Sequence, residues 1–194
     1  MKPAFALALA ASAAAFPAAD IKARQEADES ISFTGVAIRS GSDIQYAPIA
    51  ASGTNFWLNK DTVTYTPSNV PVNTNATTST VFGYYLPADT LSLDVAVPGG
   101  QQVYVSADGA LKYTVAHSAS TGEGSTVNGF GISEGHLLFE NNDFIAVATN
   151  ETSNLPDGKG TAYQIYAASR TDLAGEGFAF RAVEFEGENA WQYS

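Results

Sequence analysis

The stretch Pro98–Ser120, with the sequence PGGQQVYVSADGALKYTVAHSAS, decides the fold of this chain. Asp108 and Gly109 form a turn dipeptide between two runs that are rich in Val and Tyr, and this pattern is typical of a β-hairpin. The hairpin contains no arrangement of side chains that is typical of a reaction centre. The stretch therefore indicates a β protein, with Asp108 as part of the scaffold rather than a catalytic residue.

The parity of the side chains sets the register of this hairpin. A three-residue loop that ends at Gly109 pairs Val105 with Leu111 and Val103 with Tyr113, which places the apolar residues on one face. A two-residue loop would shift the register by one residue and no longer pair these apolar residues with one another. In the three-residue loop, Gly109 occupies the position that needs a left-handed backbone, so this register is the expected one.

Short strand signals recur along the rest of the chain, and Gly, Asn, Ser and Pro separate them. These patterns predict an all-β domain, either a single antiparallel β-sandwich or a closed β-barrel, with long loops rich in Gly, Ser and Pro. A β-trefoil is the alternative, because three stretches of the chain are loosely similar. The predicted strands are Ile31–Ile38, Ile44–Ile49, Asn55–Leu58, Leu91–Val97, Gln102–Ser106, Leu111–His117, Leu137–Phe139, Phe144–Ala148, Tyr163–Ala168 and Phe178–Phe185.

The first residues have the layout of a secretory signal peptide. Lys2 precedes an apolar run of Ala, Leu and Phe, and small residues follow it. We expect a leader over residues 1–19, with cleavage after Ala15 or Ala19. Residues 20–30 are then a flexible polar segment, and residues 31–194 form the single all-β domain. The polar end of the chain predicts no lipid anchor.

Two segments resemble the phialide cell-wall protein family of filamentous fungi, also called PhiA-like. They are GQQVYVSADGALKYTVAHSAS at residues 100–120 and ASGTNFWLNK at Ala51–Lys60, with a weaker similarity at Ala162–Ala168. The resemblance implies a small secreted protein of fungal cell walls and culture fluid, in a family that includes IgE-binding antigens and has no assigned catalytic residues. It also implies a Cys-containing, Pro-rich loop after the second segment, but the residues after Tyr65 contain Pro and no Cys.

Composition excludes several classes of function. The chain has no cysteine, so disulfides, cysteine nucleophiles and Cys-based zinc sites are excluded. It has 20 acidic and 9 basic residues, for a net charge of −11. Such a chain repels phosphate backbones and anionic lipid surfaces, so we expect neither a nucleic-acid partner nor a membrane partner.

No enzyme signature stands out, and we expect no catalytic residues, metal or cofactor. His117 and His136 are the two histidines, and their spacing is not typical of a metal site. A glycosidase would need two carboxyl groups about 5–10 Å apart across a cleft, which sequence spacing does not show. The acidic residues considered for such a pair are Asp94, Asp108, Glu123, Glu134, Glu140 and Asp143.

Two aromatic residues are candidates for contact with wall polysaccharide. Tyr104 falls on the polar face of the hairpin, so we expect it to be exposed and able to stack on a sugar ring. Trp57 is the second candidate, although burial in the core is the favoured interpretation. Asn75 and Asn150 begin N-glycosylation sequons, Asn-Ala-Thr and Asn-Glu-Thr, and both predict surface positions.

The resulting hypothesis is a secreted, non-catalytic protein of the fungal cell wall or cell surface, with a structural or developmental role and wall polysaccharide as its partner. A secreted glycan-binding or host-interaction protein is the alternative. A small glycan-active hydrolase has less support. The sequence leaves the oligomeric state open.

Overall fold

The computed structural model describes residues 30–71, 73, 76–153 and 160–194. Within these ranges 48% of the structure is strand and 4% is helical, the latter in two short 3-10 turns at Leu86–Ala88 and Ala168–Arg170. The strands are β1 (Ile31–Ile38), β2 (Ala50–Ser52), β3 (Asn55–Leu58), β4 (Thr64–Tyr65), β5 (Val81–Tyr85), β6 (Thr90–Leu93), β7 (Gln101–Val105), β8 (Leu111–Tyr113), β9 (Phe130–Ser133), β10 (His136–Phe139), β11 (Phe144–Thr152), β12 (Thr161–Ala167), β13 (Glu176–Glu184) and β14 (Gln192–Tyr193).

Nine antiparallel strands close a barrel in the order β1-β5-β6-β7-β8-β3-β12-β11-β13, and β13 pairs back to β1. The all-β class predicted from the sequence is therefore confirmed, and of the two architectures that the sequence left open, a sandwich or a closed barrel, the structure is the closed barrel. The β-trefoil alternative is wrong, because the strands follow a single continuous circuit rather than three equivalent units. The β9–β10 hairpin extends the sheet from β13, and β14 pairs with β4 in a separate two-stranded sheet.

The hairpin that decided the fold has the predicted register. Val105 lies opposite Leu111, and Val103 lies opposite Tyr113. The Ser106 N–H donates to the Ala110 carbonyl at 2.9 Å, which leaves a three-residue loop between them. Gly109 has φ +88°, the left-handed conformation that its position requires.

Aromatic side chains fill the interior of the barrel. Phe82 is fully buried and lies at the centre, with ring centroids 5.4 Å from Phe33, 5.2 Å from Phe56 and 5.5 Å from Phe180. Aromatic pairs at these separations add to the hydrophobic free energy of burial. Since no disulfide is available, this packing and the closed ladder of strand hydrogen bonds hold the fold together.

The predicted strand Ile44–Ile49 is wrong. The chain forms consecutive turns there, and Tyr46 adopts φ +65°, which a continuous strand does not allow. Ile44 points into the barrel and is fully buried, so the apolar residue that suggested a strand is an anchor for the turns. Pro48 makes a single bridge to Val36 of β1.

Several strand boundaries also differ from the prediction. Leu91–Val97 ends at Leu93, and Leu111–His117 ends at Tyr113. Five strands were not predicted, because each is short or carries no clean alternation: Ala50–Ser52, Thr64–Tyr65, Val81–Tyr85, Phe130–Ser133 and Gln192–Tyr193. Among the described residues, no helix has the length and apolar character that crossing a membrane requires.

Candidate functional site

A seam in the barrel wall positions the candidate site. The first half of β1 pairs with β5 as far as Thr34 and Val81, whereas Val36 bridges Pro48 on the same edge. The Ile49 N–H donates to the Gly35 carbonyl at 2.9 Å at the change of partner. Two different segments therefore share one edge of β1, and a groove opens on the outer surface where they part.

This seam groove has a volume of about 390 Å³. Its floor is β1, and its walls come from three segments that are distant in sequence. The lining residues are Thr34, Gly35, Val36, Pro48, Ile49, Ala50, Lys60, Asp61, Thr62, Thr78, Ser79 and Thr80. Gly35 is required in the floor because a Cβ there would overlap the ring of Phe180 and the side chain of Ile49 in the core.

Hydroxyl groups dominate the chemistry of the groove. Thr80 is buried, and its Oγ1 accepts a hydrogen bond of 2.8 Å from the Ala51 N–H. The same oxygen lies 2.8 Å from Oγ1 of Thr62. Thr34, Thr78 and Ser79 add three further hydroxyls. Because each hydroxyl can donate one hydrogen bond and accept two, the lining suits a ligand that is itself rich in hydroxyls.

Lys60 at the border of the groove lies against Trp57. The Lys60 Nζ is 4.3 Å from the centre of the Trp57 ring and 3.1 Å from a carboxylate oxygen of Glu151. The indole N–H of Trp57 donates to the Ser52 carbonyl at 2.9 Å. Trp57 is 7% exposed, as the favoured interpretation of the sequence predicted. It is therefore the support for a groove residue rather than an open stacking surface.

Tyr104 is 8% exposed, so the expectation of an exposed aromatic on the hairpin is wrong. Tyr104 does lie on the outward face, opposite Lys112. However, the long loop after β8 returns to the hairpin, where Thr126 and Val105 exchange backbone hydrogen bonds of 2.8 and 2.9 Å. Burial raises the pKa of the Tyr104 hydroxyl, and the nearby carboxylate of Asp108 raises it further.

The two sequons differ in what the structure describes. Asn150 is exposed on β11, and Thr152, the third residue of its sequon, is exposed at the end of the same strand. Asn75 lies outside the described residues. The Asn150 side chain is therefore on the surface that its sequon predicted.

The histidines and the carboxylates considered from the sequence are spread over different parts of the barrel. His117 is exposed in a turn after β8, and His136 lies opposite Ser133 in the β9–β10 hairpin. In the described ranges, no group of three or more His, Asp or Glu side chains could hold a metal ion. In the part of the seam groove that the structure describes, Asp61 is the lining carboxylate.

Two of those carboxylates are committed to local contacts. Asp108 accepts a hydrogen bond of 2.5 Å from the Ser106 hydroxyl, which is the main reason that its pKa lies below the usual value. Glu140 pairs with Arg170, and the hydrogen bonds from Arg170 lower the pKa of the Glu140 carboxyl. Both contacts organise turns.

Sequence reasoning missed the seam groove. Thr34, Thr62 and Thr80 are separated by intervening segments, and each is an ordinary residue in its own stretch. The signal that was present is the Thr- and Ser-rich run before Val81, which the sequence shows only as part of one of the expected long loops. Only the order of the strands brings that run beside β1.

A family model described as PhiA-like secreted protein matches residues 33–194. A protein of Arthroderma benhamiae, described as an uncharacterized secreted protein, is 32% identical, and the match covers 78% of this chain and 80% of that protein. No solved structure matches.

Proposed function

Because this chain belongs to the PhiA-like secreted protein family, we propose that it is a non-catalytic component of the fungal cell wall or cell surface. The protein is secreted. Its proposed role is structural or developmental, and it acts by associating with wall polysaccharide. The association is non-covalent and takes place on the outer surface of the barrel.

The packed interior of the barrel is the observation that carries this proposal. Barrels that enclose a ligand or a reaction leave space inside, whereas here the central side chains Phe33, Phe82 and Phe180 are in ring contact and buried. The seam groove is an open site on the described surface where recognition can take place. Hydrolysis of a glycosidic bond uses two carboxyl groups, and the described lining of the groove has one, Asp61.

The charge of the chain supports a neutral partner. A net charge of −11 repels nucleic acid and anionic lipid surfaces, and it does not repel uncharged glucan, chitin or mannan. The same charge keeps a small secreted protein soluble until it reaches the wall.

Cell fractionation tests this proposal. Antibody detection in the producing fungus should find the protein in washed walls and in culture fluid, and salt or detergent should release the wall-bound part without enzymes that digest the wall. Detection in the culture fluid alone, with washed walls empty, would show that the protein is not a wall component.

A secreted glycan-binding protein that acts away from its own wall is the second candidate. The seam groove favours it, because an open, hydroxyl-lined groove serves recognition wherever the polysaccharide is located. Fractionation distinguishes the two: the second candidate predicts protein in the culture fluid that binds added polysaccharide but is absent from walls.

We also propose that Asn150 carries an N-linked glycan. Asn150 and Thr152 are both exposed, so the sequon is accessible. Secretion from a eukaryotic host should give a species that shrinks on treatment with an N-glycosidase. The substitution Thr152→Ala should remove the part of this shift that belongs to Asn150, as measured by mass spectrometry of the peptide. An unmodified Asn150 peptide from the secreted protein would show that the site is unused.

A further inference from the structure

We propose that the seam groove binds a neutral polysaccharide chain, and that Lys60 on Trp57 senses its occupancy. The inference rests on the proposed function and assigns its contact with polysaccharide to a defined place. The proposed contact residues are those that line the seam groove, and they take the place of Tyr104, which is buried. The ligand class is an uncharged chain of hexose or N-acetylhexosamine units.

The size and the lining of the groove fit sugar units. A volume of about 390 Å³ lies within the range of small-molecule sites, roughly 300–1,000 Å³. Thr34, Thr62, Thr78 and Ser79 line the groove, where the Thr62 hydroxyl lies 2.8 Å from that of Thr80 and the Thr34 hydroxyl lies 3.5 Å from the Val183 carbonyl oxygen. Sugar hydroxyls need partners that both donate and accept, and a row of Thr and Ser provides both.

Apolar surface beside the hydroxyls suits the C–H face of a sugar ring. Val36 and Pro48 line the groove, and Pro48 is exposed. Tyr46 lies two residues before Pro48 and is 70% exposed, the largest exposure among the large apolar side chains of the described residues. Aromatic and aliphatic faces of this kind pack against the C–H face of a pyranose ring.

Tyr46 is held in an unusual conformation. It has φ +65°, a left-handed backbone that is costly for a residue with a bulky side chain. Its N–H donates to the Ala37 carbonyl at 2.9 Å, and the Ala37 N–H donates to the Ala47 carbonyl at 2.9 Å. Strained residues that the surrounding structure fixes in place are concentrated at functional sites, and Tyr46 lies in the turn that leads to Pro48 of the groove.

The charges of the groove favour an uncharged ligand. Of the lining residues that the structure describes, Lys60 carries the ammonium group, and Glu151 pairs with it at 3.1 Å. Asp61 is the carboxylate of the same set, so these described lining residues together have no net charge. An anionic polymer would meet a paired lysine and a strongly acidic protein, and its binding would be opposed.

The wall formed by residues 78–80 is fixed before any ligand arrives. Tyr193 donates from its hydroxyl to the Ser79 carbonyl at 2.8 Å, and the Val81 N–H donates to the same hydroxyl at 2.9 Å. The Ala51 N–H holds the Thr80 side chain. A groove that is already in its binding shape loses little free energy to ordering when a chain binds.

Co-sedimentation with insoluble chitin, β-glucan and mannan tests the site. The substitution Thr34→Phe fills the floor of the groove from an outward-facing, half-buried strand position. Thr90→Phe is the matched control, because Thr90 is also an outward-facing, half-buried strand threonine and lies outside the groove. Thr78→Phe blocks the groove from an exposed position in a connection, where folding is less sensitive. We expect both groove variants to weaken retention by roughly tenfold or more, and Thr90→Phe to bind as the unchanged protein does.

Trp57 supplies a second readout that needs no immobilised polymer. A chain in the groove displaces or reorients Lys60, which lies 4.3 Å above the indole ring, so soluble fragments of the same polysaccharides should change the fluorescence of Trp57. In the variant Trp57→Phe this change should disappear, leaving the signal of Trp191.

Binding of all three polymers by Thr34→Phe and Thr78→Phe at the level of the unchanged protein would overturn the inference, as would failure of the unchanged protein to bind any of them. These results are distinguishable from failure of the proposed function. If the protein is present in washed walls but the groove variants bind as the unchanged protein does, the wall role stands and the groove is not the binding site. If the protein is absent from walls but binds polysaccharide through the groove, the groove is the binding site and the wall role is rejected.

Discussion

Two buried tyrosines inside the barrel differ in the hydrogen bonding of their hydroxyls. Tyr193 has two hydrogen-bond partners, the Val81 N–H at 2.9 Å and the Ser79 carbonyl at 2.8 Å. Tyr113 is equally buried, and among the described residues its hydroxyl has no partner at normal hydrogen-bond geometry. Burial of an unpaired polar group costs free energy, whereas removal of one partner from a buried pair leaves the other unsatisfied. The same chemical change should therefore have different effects at the two positions.

We expect Tyr193→Phe to lower the free energy of unfolding by about 1–3 kcal/mol, because the Val81 N–H loses its partner. Tyr113→Phe should leave the free energy unchanged or raise it by up to about 1 kcal/mol. Chemical denaturation of both variants, compared through their midpoints and slopes, measures the difference. Equal losses at the two positions would show that the hydroxyl of Tyr113 has a partner after all.

At the residue scale, sequence reasoning predicted the burial of Trp57 correctly and the exposure of Tyr104 wrongly. Burial in the core was the favoured interpretation for Trp57, and the structure agrees. The parity of the hairpin placed Tyr104 on the outward face, which is also correct, but exposure did not follow. The loop that returns to Val105 carries no local signal of its destination.

At the scale of single elements, the β7–β8 hairpin is the part of the fold that its own residues specify. Gly109 combines a φ of +88° with close packing, because a Cβ there would lie 2.8 Å from the Arg170 carbonyl oxygen. Gly53, in the turn between β2 and β3, has φ +60° and no heavy atom within 4 Å of such a Cβ. Comparing substitutions in the two turns therefore separates the cost of a left-handed backbone, which both glycines share, from the cost of steric overlap, which only Gly109 adds.

We expect Gly109→Ala to destabilise the protein by at least about 1 kcal/mol more than Gly53→Ala, since Gly109 adds overlap with backbone to the strain that both share. Thermal unfolding of the two variants under the same conditions makes the comparison. An equal loss at both positions would mean that the Ala168–Arg170 turn moves away from the hairpin at no cost.

Elements with a local pattern were predictable, and elements defined by contacts elsewhere were not. Strands β1 and β3 were placed with their observed bounds, because alternation and flanking turn residues mark them. The segment Ile44–Ile49 has apolar residues at strand spacing, but its shape is set by Ile44 entering the end of the barrel. Periodicity alone does not separate an anchored turn from a strand.

At the scale of the whole molecule, the closed barrel traps tyrosines that titrate far from their ordinary range. Burial raises the pKa of Tyr113 and of Tyr193 to about 12 each, from an ordinary value of 10.0. Tyr84 shifts in the same direction, mainly through burial and also through the negative charge of Asp89. In the unfolded chain all three hydroxyls would ionise first.

Stability should therefore fall in alkali. Below pH 10 the hydroxyls are protonated in both states, so the contribution of these groups to stability is fully present; between pH 10 and 12 only the unfolded state loses the proton. Tyr113 and Tyr193 should then each lower the free energy of unfolding by about 1.4 kcal/mol per pH unit. Denaturation midpoints between about pH 9 and pH 12, followed with phenolate absorbance, measure the slope. A flat profile would show that the tyrosines are accessible to solvent.

Closure of the barrel, and with it the seam groove, is the feature that local patterns do not predict. The all-β class followed from repeated short strands, but the pairing of β13 with β1 joins segments from opposite ends of the domain. The groove arises because Pro48 and Val81 end up on the same edge of β1. Such a site depends on register across the whole sheet, which composition and spacing do not encode in any one stretch.

One incubation tests the central claim, that a sealed barrel holds neutral wall polysaccharide on its surface without reacting with it. The purified protein is mixed with washed fungal wall polysaccharide, the polymer is sedimented, and both bound protein and soluble sugar are quantified. We expect protein in the pellet and no soluble sugar above the protein-free control. Soluble oligosaccharides that increase with time and with protein concentration would contradict it.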